Sequence, residues 1–227
     1  MQKLVILILT LLTYSLNINA QGSLSAYCTV GNNYIENTYV EIDAIGAYKY
    51  DNWNFSLGVG LTTAPNHTAY FHALLADASH QFDIPKFPMR LTCKYLFNPH
   101  TYSGIREHDW AIIVSYIPKH FDVELGYLIR YNHAANTGYG EYFNVLYNFA
   151  GYIWSRDNYY NIRISLKNFD NLYFGRSTDI MLDIKLSYAY PRNVSYFIQG
   201  QCRAAGIGNI QFNHFDCKVR GGIIWEI

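Results

Sequence analysis

Apolar and polar residues alternate along almost the whole chain after residue 20. Val40, Ile42, Ala44, Gly46 and Tyr48 interleave with Glu41, Asp43, Ile45, Ala47 and Lys49. Trp53, Phe55, Leu57, Val59 and Leu61 interleave with Asn54, Ser56, Gly58 and Gly60. Ile180, Leu182, Ile184, Leu186 and Tyr188 interleave with Asp179, Met181, Asp183, Lys185 and Ser187. A strand sends successive side chains to opposite faces, so each segment has one greasy face and one polar face. The residues are 50% hydrophobic and 15% charged, which excludes a disordered chain. Seventeen basic residues balance seventeen acidic ones, so nothing marks a nucleic-acid binder. After residue 20 there is no stretch of about 20 apolar residues, so membrane-spanning helices are excluded.

About twelve alternating segments are expected, near 23–31, 36–50, 53–62, 70–84, 87–98, 109–118, 121–132, 143–154, 159–169, 178–190, 193–205 and 211–227. Their connections also alternate. Asp51-Asn52, Ile84 to Lys86, Pro118 to His120, Ser155 to Asn158 and Pro191 to Asn193 are short. Thr62 to Ala69, Pro99 to His108, His133 to Tyr142, Asp170 to Ser177 and Gly206 to Ile210 are longer. This pattern predicts an up-and-down antiparallel meander with both termini at the short-turn end. If 23–31 were a loop, the count would fall to eleven. Met1 to Ala20 reads as an address instead: Lys3 is basic, Leu4 to Leu16 is an apolar run, and Ala20 is a small residue at a cleavage site. The expected division is therefore a signal peptide over 1–20 and a β-domain over 21–227.

Alternation does not say which face looks outward, but three features favour the greasy one. Twelve strands would enclose a wide apolar void if it faced inward, since eight already leave only room for side chains. Trp53, Trp110, Trp154 and Trp225 lie near strand ends, as do Tyr50, Phe87, Phe121, Tyr160 and Tyr190, at the heights of interfacial girdles. The chain ends Arg220-Gly221-Gly222-Ile223-Ile224-Trp225-Glu226-Ile227. Gly222, Trp225 and Ile227 in this ending resemble the C-terminal strand signal that outer-membrane proteins present to the barrel-assembly machinery, with Ile227 in place of the usual Phe. The whole stretch after residue 20 thus resembles the Gram-negative outer-membrane β-barrel superfamily. The resemblance implies an all-β, transmembrane up-and-down antiparallel barrel of about twelve strands. It also implies export through a cleaved signal peptide, contact with outer-membrane lipid, and short turns in the periplasm.

Parity then assigns the lumen. Its candidate charged residues are Glu41, Asp43, Asp77, Arg90, Lys94, Glu124, Arg130, Arg163, Lys167, Asp183, Lys185, Arg203, Asp216, Lys218 and Arg220, with His214. Asp83, Asp122, Asp179, Glu226 and Lys49 share that parity. An Arg or Lys facing mid-bilayer lipid would cost about 2–4 kcal/mol, which explains the segregation. These charges either close the lumen by pairing across it or line a narrow aqueous channel. A β-hairpin centred near Gly208-Asn209 would place Arg203 opposite Asp216 and Gln201 opposite Lys218. It would also place Cys202 opposite Cys217 on the lipid side, a disulfide candidate. No outer loop is expected to fold in as a constriction.

Catalytic motifs are weak. Outer-membrane hydrolases use a His-x-Ser pair, and none of the eight His is followed by Ser two residues on. His214 with Asp216, and Glu107-His108-Asp109 in an expected loop, are acid–His pairs that any lumen-facing strand end can supply. No metal-site spacing and no cofactor are indicated. The leading expectation is a small porin-like passive channel for polar solutes. The alternatives are a non-conducting barrel that anchors or joins a surface assembly, and an embedded hydrolase. The protein partner is not specified.

Overall fold

The computed structural model describes residues 21–33, 37–63, 69–85, 87–100, 105–134, 138–154, 159–190, 193–205 and 213–227; the expected signal peptide, 1–20, lies outside the described residues. Its strands are β1 (Gln21–Asn33), β2 (Asn37–Tyr50), β3 (Trp53–Thr63), β4 (Tyr70–Ile84), β5 (Phe87–His100), β6 (Ile105–Tyr116), β7 (Phe121–Ala134), β8 (Gly138–Trp154), β9 (Tyr160–Lys167), β10 (Phe169–Asp170), β11 (Tyr173–Phe174), β12 (Ile180–Tyr190), β13 (Val194–Ala205) and β14 (Asn213–Glu226). Twelve of them close a single antiparallel barrel, while β10 and β11 pair only with each other.

The first strand does close against the last. Leu24 pairs with Trp225 and Thr29 with Arg220. Gly22 and Ile227 exchange two backbone bonds, of 3.2 and 2.7 Å, which tie down the C-terminus. Closure leaves the wall without a free edge strand, as a sheet in lipid requires. At the short-turn end, Asp51 takes φ 53° in the two-residue link between β2 and β3, a left-handed conformation that Asp tolerates.

The greasy parity faces outward. Ile42, Leu57, Ile112, Leu125, Val145, Ile184, Ile198 and Val219 are all exposed on the barrel wall. An apolar surface of that extent belongs in lipid. Trp53, Phe87, Phe121, Tyr160, Tyr190 and Trp225 ring the short-turn end and are exposed; the Trp154 side chain lies outside the described residues. Trp110 points outward higher up, with its ring 4.5 Å from that of Tyr95.

Several boundaries differ from expectation: β8 begins at Gly138 rather than at 143, and two further differences bear on the lumen. β6 begins at Ile105, so Glu107 and Asp109 lie on a strand and face the lumen rather than sitting in a loop. β9 has only eight residues and stops at Lys167. The chain beyond it turns inward, contrary to the expectation that no outer loop would.

The buried apolar cluster shows why. Ala73, Leu75, Leu96, Ala111, Ile113, Leu128 and Leu146 have lumen parity on β4 to β8, and Phe169, Leu172 and Phe174 of the turned-in segment join them. Here the wall is apolar on both faces, as in Leu74-Leu75 or Ile112-Ile113-Val114. Strands covered on both sides carry such continuous hydrophobic runs.

Candidate functional site

The site is the lumen, and the hairpin β10–β11 divides it. Where β9 stops, Asn168 takes over the edge of β8 with its side chain. It accepts the Tyr147 amide at 2.8 Å and donates to the Val145 carbonyl at 2.7 Å and to the Arg176 carbonyl at 3.1 Å. A buried edge left unpaired would cost about 1–3 kcal/mol per group, and this Asn removes that cost. Farther along, Asn144 donates to the Gly175 carbonyl and accepts the Ser177 amide at 2.5 Å.

The hairpin reaches across the whole barrel. Its tip residue Leu172 packs against Gly60 on β3, six strands from β9 in a ring of twelve. A Cβ at Gly60 would sit 2.6 Å from Asp43 Oδ1 and 3.3 Å from Leu172 Cδ1, so a glycine there makes room for the tip.

The two sides of the hairpin differ chemically. Phe169, Leu172 and Phe174 seal the side toward β4–β8. On that side Arg130 holds the hairpin backbone, donating to the Phe174 carbonyl at 2.8 Å. Arg130 is itself fixed by two bonds to Asp109, at 2.8 and 2.7 Å, and by Glu107 at 3.2 Å. The other side is ionic. Asp170 meets Arg220 at 2.8 Å, Lys167 at 3.6 Å and Gln201 at 3.0 Å. Arg203 donates to the Tyr173 hydroxyl, which donates to Asp179 at 3.2 Å. Burial alone would raise Asp170, but Lys167, Arg220, Lys218 and the Gln201 bond hold it well below the usual carboxylate range. Burial pushes the Tyr173 hydroxyl up. On this side Tyr27 Oη, Asp43 Oδ1 and Gln201 Oε1 are buried without a protein hydrogen-bond partner. Asn98 Oδ1, Asn132 Oδ1 and Asn148 Oδ1 on β5, β7 and β8 are in the same state, so groups of the kind that water satisfies stand on both sides of the hairpin.

Between the hairpin and the short-turn end lies a vestibule of about 670 Å³. Asn54, Ile117, Asn161 and Ile224 line it near its mouth, and Phe169, Asp170 and Asn171 close its far end. Its charged lining is Arg90, Lys94, Arg163, Lys167, Lys185 and Arg220 against Asp77, Asp122, Glu124 and Asp170, six bases to four acids.

Most of the remaining expected residues fall into local pairs. Arg90 bridges Glu124 at 3.0 Å, and Glu124 also accepts from Ser115 and Asn148. Lys167 bridges Asp183 at 2.9 Å, with Arg163 at 3.9 Å from the same carboxylate. Ser56 donates to Asp77 at 2.5 Å. Glu41 lies 3.7 Å from His72, and the Tyr39 hydroxyl donates to Asp216 at 3.0 Å. Arg203 faces Asp216 and Gln201 faces Lys218 in the ladder. Lys218 stands 6.0 Å from the Tyr173 ring. His214 stands opposite Ala204 past a bulge; its side chain, like that of Asp83, lies outside the described residues. Asp179 belongs to the returning limb of the turned-in segment rather than to the wall. Lys49 and Glu226 are exposed at the short-turn end.

Cys202 and Cys217 face each other with Cα atoms 4.3 Å apart and form a cross-strand disulfide. Gly222 leaves space that Tyr27 and Phe197 fill; a Cβ there would lie 2.5 Å from Tyr27 Cβ. Trp225 and Ile227 are exposed at the terminus. Glu107, Asp109, Asp170 and Tyr173 are site residues that the sequence reading missed. The signal for the last two was the apolar band of lumen parity on β4–β8, which needs an apolar cover.

No protein-family model and no curated protein matches the chain. Solved structures do. A KdgM porin is similar at a TM-score of 0.52 and 14% identity, with 89% of this chain and 98% of that one covered. The Acinetobacter baumannii outer membrane protein Omp33 gives 0.51 at 10% identity, covering 91% and 99%. An outer membrane channel from Pseudomonas putida F1 gives 0.52 at 7%, covering 92% and 95%. The fold is that of an outer-membrane β-barrel. At these identities the likeness concerns the fold alone. The lumen must be read from its own residues.

Proposed function

We propose that the chain is a porin-like passive channel of the outer membrane, exported through the signal at 1–20, whose solutes pass on the ionic side of the inward hairpin. The observation that carries this reading is the split lumen. One side of the hairpin is covered by Phe169, Leu172 and Phe174; on the other, Asp170 and Tyr173 meet Arg220, Lys167, Gln201 and Arg203 above a vestibule of about 670 Å³. A water-filled path lined by both charge signs passes small polar solutes and needs no energy source. That the neighbouring structures include a porin and an outer membrane channel supports the same reading.

The hairpin's full crossing favours a second reading, a closed barrel that serves as an anchor or subunit. Single-channel recording in a planar bilayer separates the two. The expected result is small, steady, salt-dependent steps from the intact protein. Larger steps are expected when 169–174 is replaced by a short Gly-Ser linker. Silence from intact protein shown to be folded, with conduction only after that replacement, would establish the closed barrel instead.

A further inference from the structure

One row of the barrel ladder carries an unusual charge sequence. Tyr152 pairs with Arg163, Arg163 with Lys185, Lys185 with Gln199, and Gln199 with Arg220. All five side chains line the vestibule. Arg163 and Lys185 are therefore like charges directly opposite each other on neighbouring strands, an arrangement that destabilises a sheet. Local acids do not offset it fully. Asp170 is taken by Arg220 and Lys167. Asp183 is taken by Lys167 at 2.9 Å and by the side-chain amides of Gln199 and Gln201, leaving Arg163 at 3.9 Å, and Asp122 accepts the Tyr152 hydroxyl. The Lys185 amine rests on the Phe197 ring, 4.1 Å from its centroid, and has no hydrogen-bond acceptor among the described residues. Across the cavity the Lys94 amine is 6.0 Å from the Phe169 ring, with Asp77 opposite it in the ladder.

We propose that this wall of the vestibule is a binding site for a small multivalent oxyanion, with Lys185 and Arg163 as its primary contacts. A ligand oxyanion between Lys185 and Arg163 supplies the counter-charge that their pairing lacks. Arg163 is pre-set for this, because its Nε donates to the Tyr152 hydroxyl at 3.1 Å and its Nη1 to Ser165 at 3.3 Å. Lys94 on the facing wall accounts for the preference for more than one charged group. The cavity has the size of ordinary small-molecule sites, roughly 300–1,000 Å³. This inference rests on the channel reading for the ligand's route and deepens it by naming the solute class.

The test is calorimetric titration of citrate into the full folded protein in neutral detergent, in low-chloride buffer, with folding checked by unheated gel mobility. Saturable binding is expected, with acetate binding far more weakly. Lys185→Gln is expected to weaken citrate by about tenfold, the worth of one charge-assisted bond. Lys185→Arg keeps the charge and is expected to keep the affinity within about threefold. No saturable citrate binding to the folded wild type, or a Lys185→Gln protein that binds like wild type, overturns the site. Binding is read without conduction. A silent barrel that binds citrate keeps the site and removes the channel; a conducting barrel that does not bind it keeps the channel and removes the site.

Discussion

Asp170 decides how firmly the hairpin is held. It is the acid common to Arg220, Lys167 and Gln201, and it sits on the hairpin while its partners sit on the wall. Removing one member of an enclosed ion group leaves uncompensated charge, at a cost of about 3–5 kcal/mol. Asp170→Asn should therefore loosen the hairpin without opening the barrel, seen as noisier and larger conductance steps from a protein that still migrates as folded. The pH dependence has a definite sign. Its neighbours hold the carboxyl below its ordinary value, so the stabilisation is complete above an unfolded value of about 4 and fades only as pH falls through the lower folded value. Conductance should stay constant between pH 8 and pH 5 as far as Asp170 is concerned. A hairpin that releases on going from pH 7 to pH 5 would contradict this assignment.

At the scale of elements, the contrast is between β9 and its neighbours. The wall strands announce themselves because lipid on one side and polar lumen on the other enforce a period of two. That rule also fixes the register, which is why Arg203 opposite Asp216 and Cys202 opposite Cys217 were legible from the spacing about Gly208-Asn209. The end of β9 was not legible in this way. Ser165, Lys167 and Phe169 continue the lumen parity without a break, so alternation predicts strand up to 169. What stops it is tertiary: an apolar band on β4–β8, far away in sequence, that Phe169, Leu172 and Phe174 cover. Glu107 and Asp109 read as loop because their polar stretch resembles one, although Arg130 gives them a partner. The role of Asn168 as substitute strand yields a local prediction. In Asn168→Ala the Tyr147 amide loses its acceptor and the Val145 carbonyl a donor, worth about 1–3 kcal/mol for each group. Hydrogen exchange at Tyr147 should accelerate by roughly tenfold or more, with exchange on β2 and β3 unchanged. Uniform acceleration over all strands would instead mean that Asn168 supports the whole barrel.

At the scale of the molecule, charge is distributed unevenly along the barrel axis even though the chain is neutral overall. The vestibule toward the short turns has six bases and four acids. Nearer the long-loop ends of the strands, Glu41, Asp43, Glu107, Asp109, Asp179 and Asp216 outnumber Arg130, Arg176, Arg203 and Lys218. The hairpin lies between the two zones. A narrow pore with an excess of fixed positive charge at one end and negative at the other enriches opposite ions in its two halves, so its current depends on the sign of the voltage. This follows only while each zone's field extends across the pore. The screening length is about 10 Å at 0.1 M salt and about 3 Å at 1 M. The current–voltage curve of single channels should therefore rectify at 0.1 M and become nearly symmetric at 1 M. Lys185→Glu together with Arg90→Glu leaves four bases and six acids in the vestibule, removing the axial contrast, and should abolish rectification at 0.1 M as well. If rectification persists in that variant, the asymmetry comes from the shape of the hairpin rather than from its charges. A wild-type curve that is symmetric at 0.1 M would remove the axial field altogether as a determinant of transport.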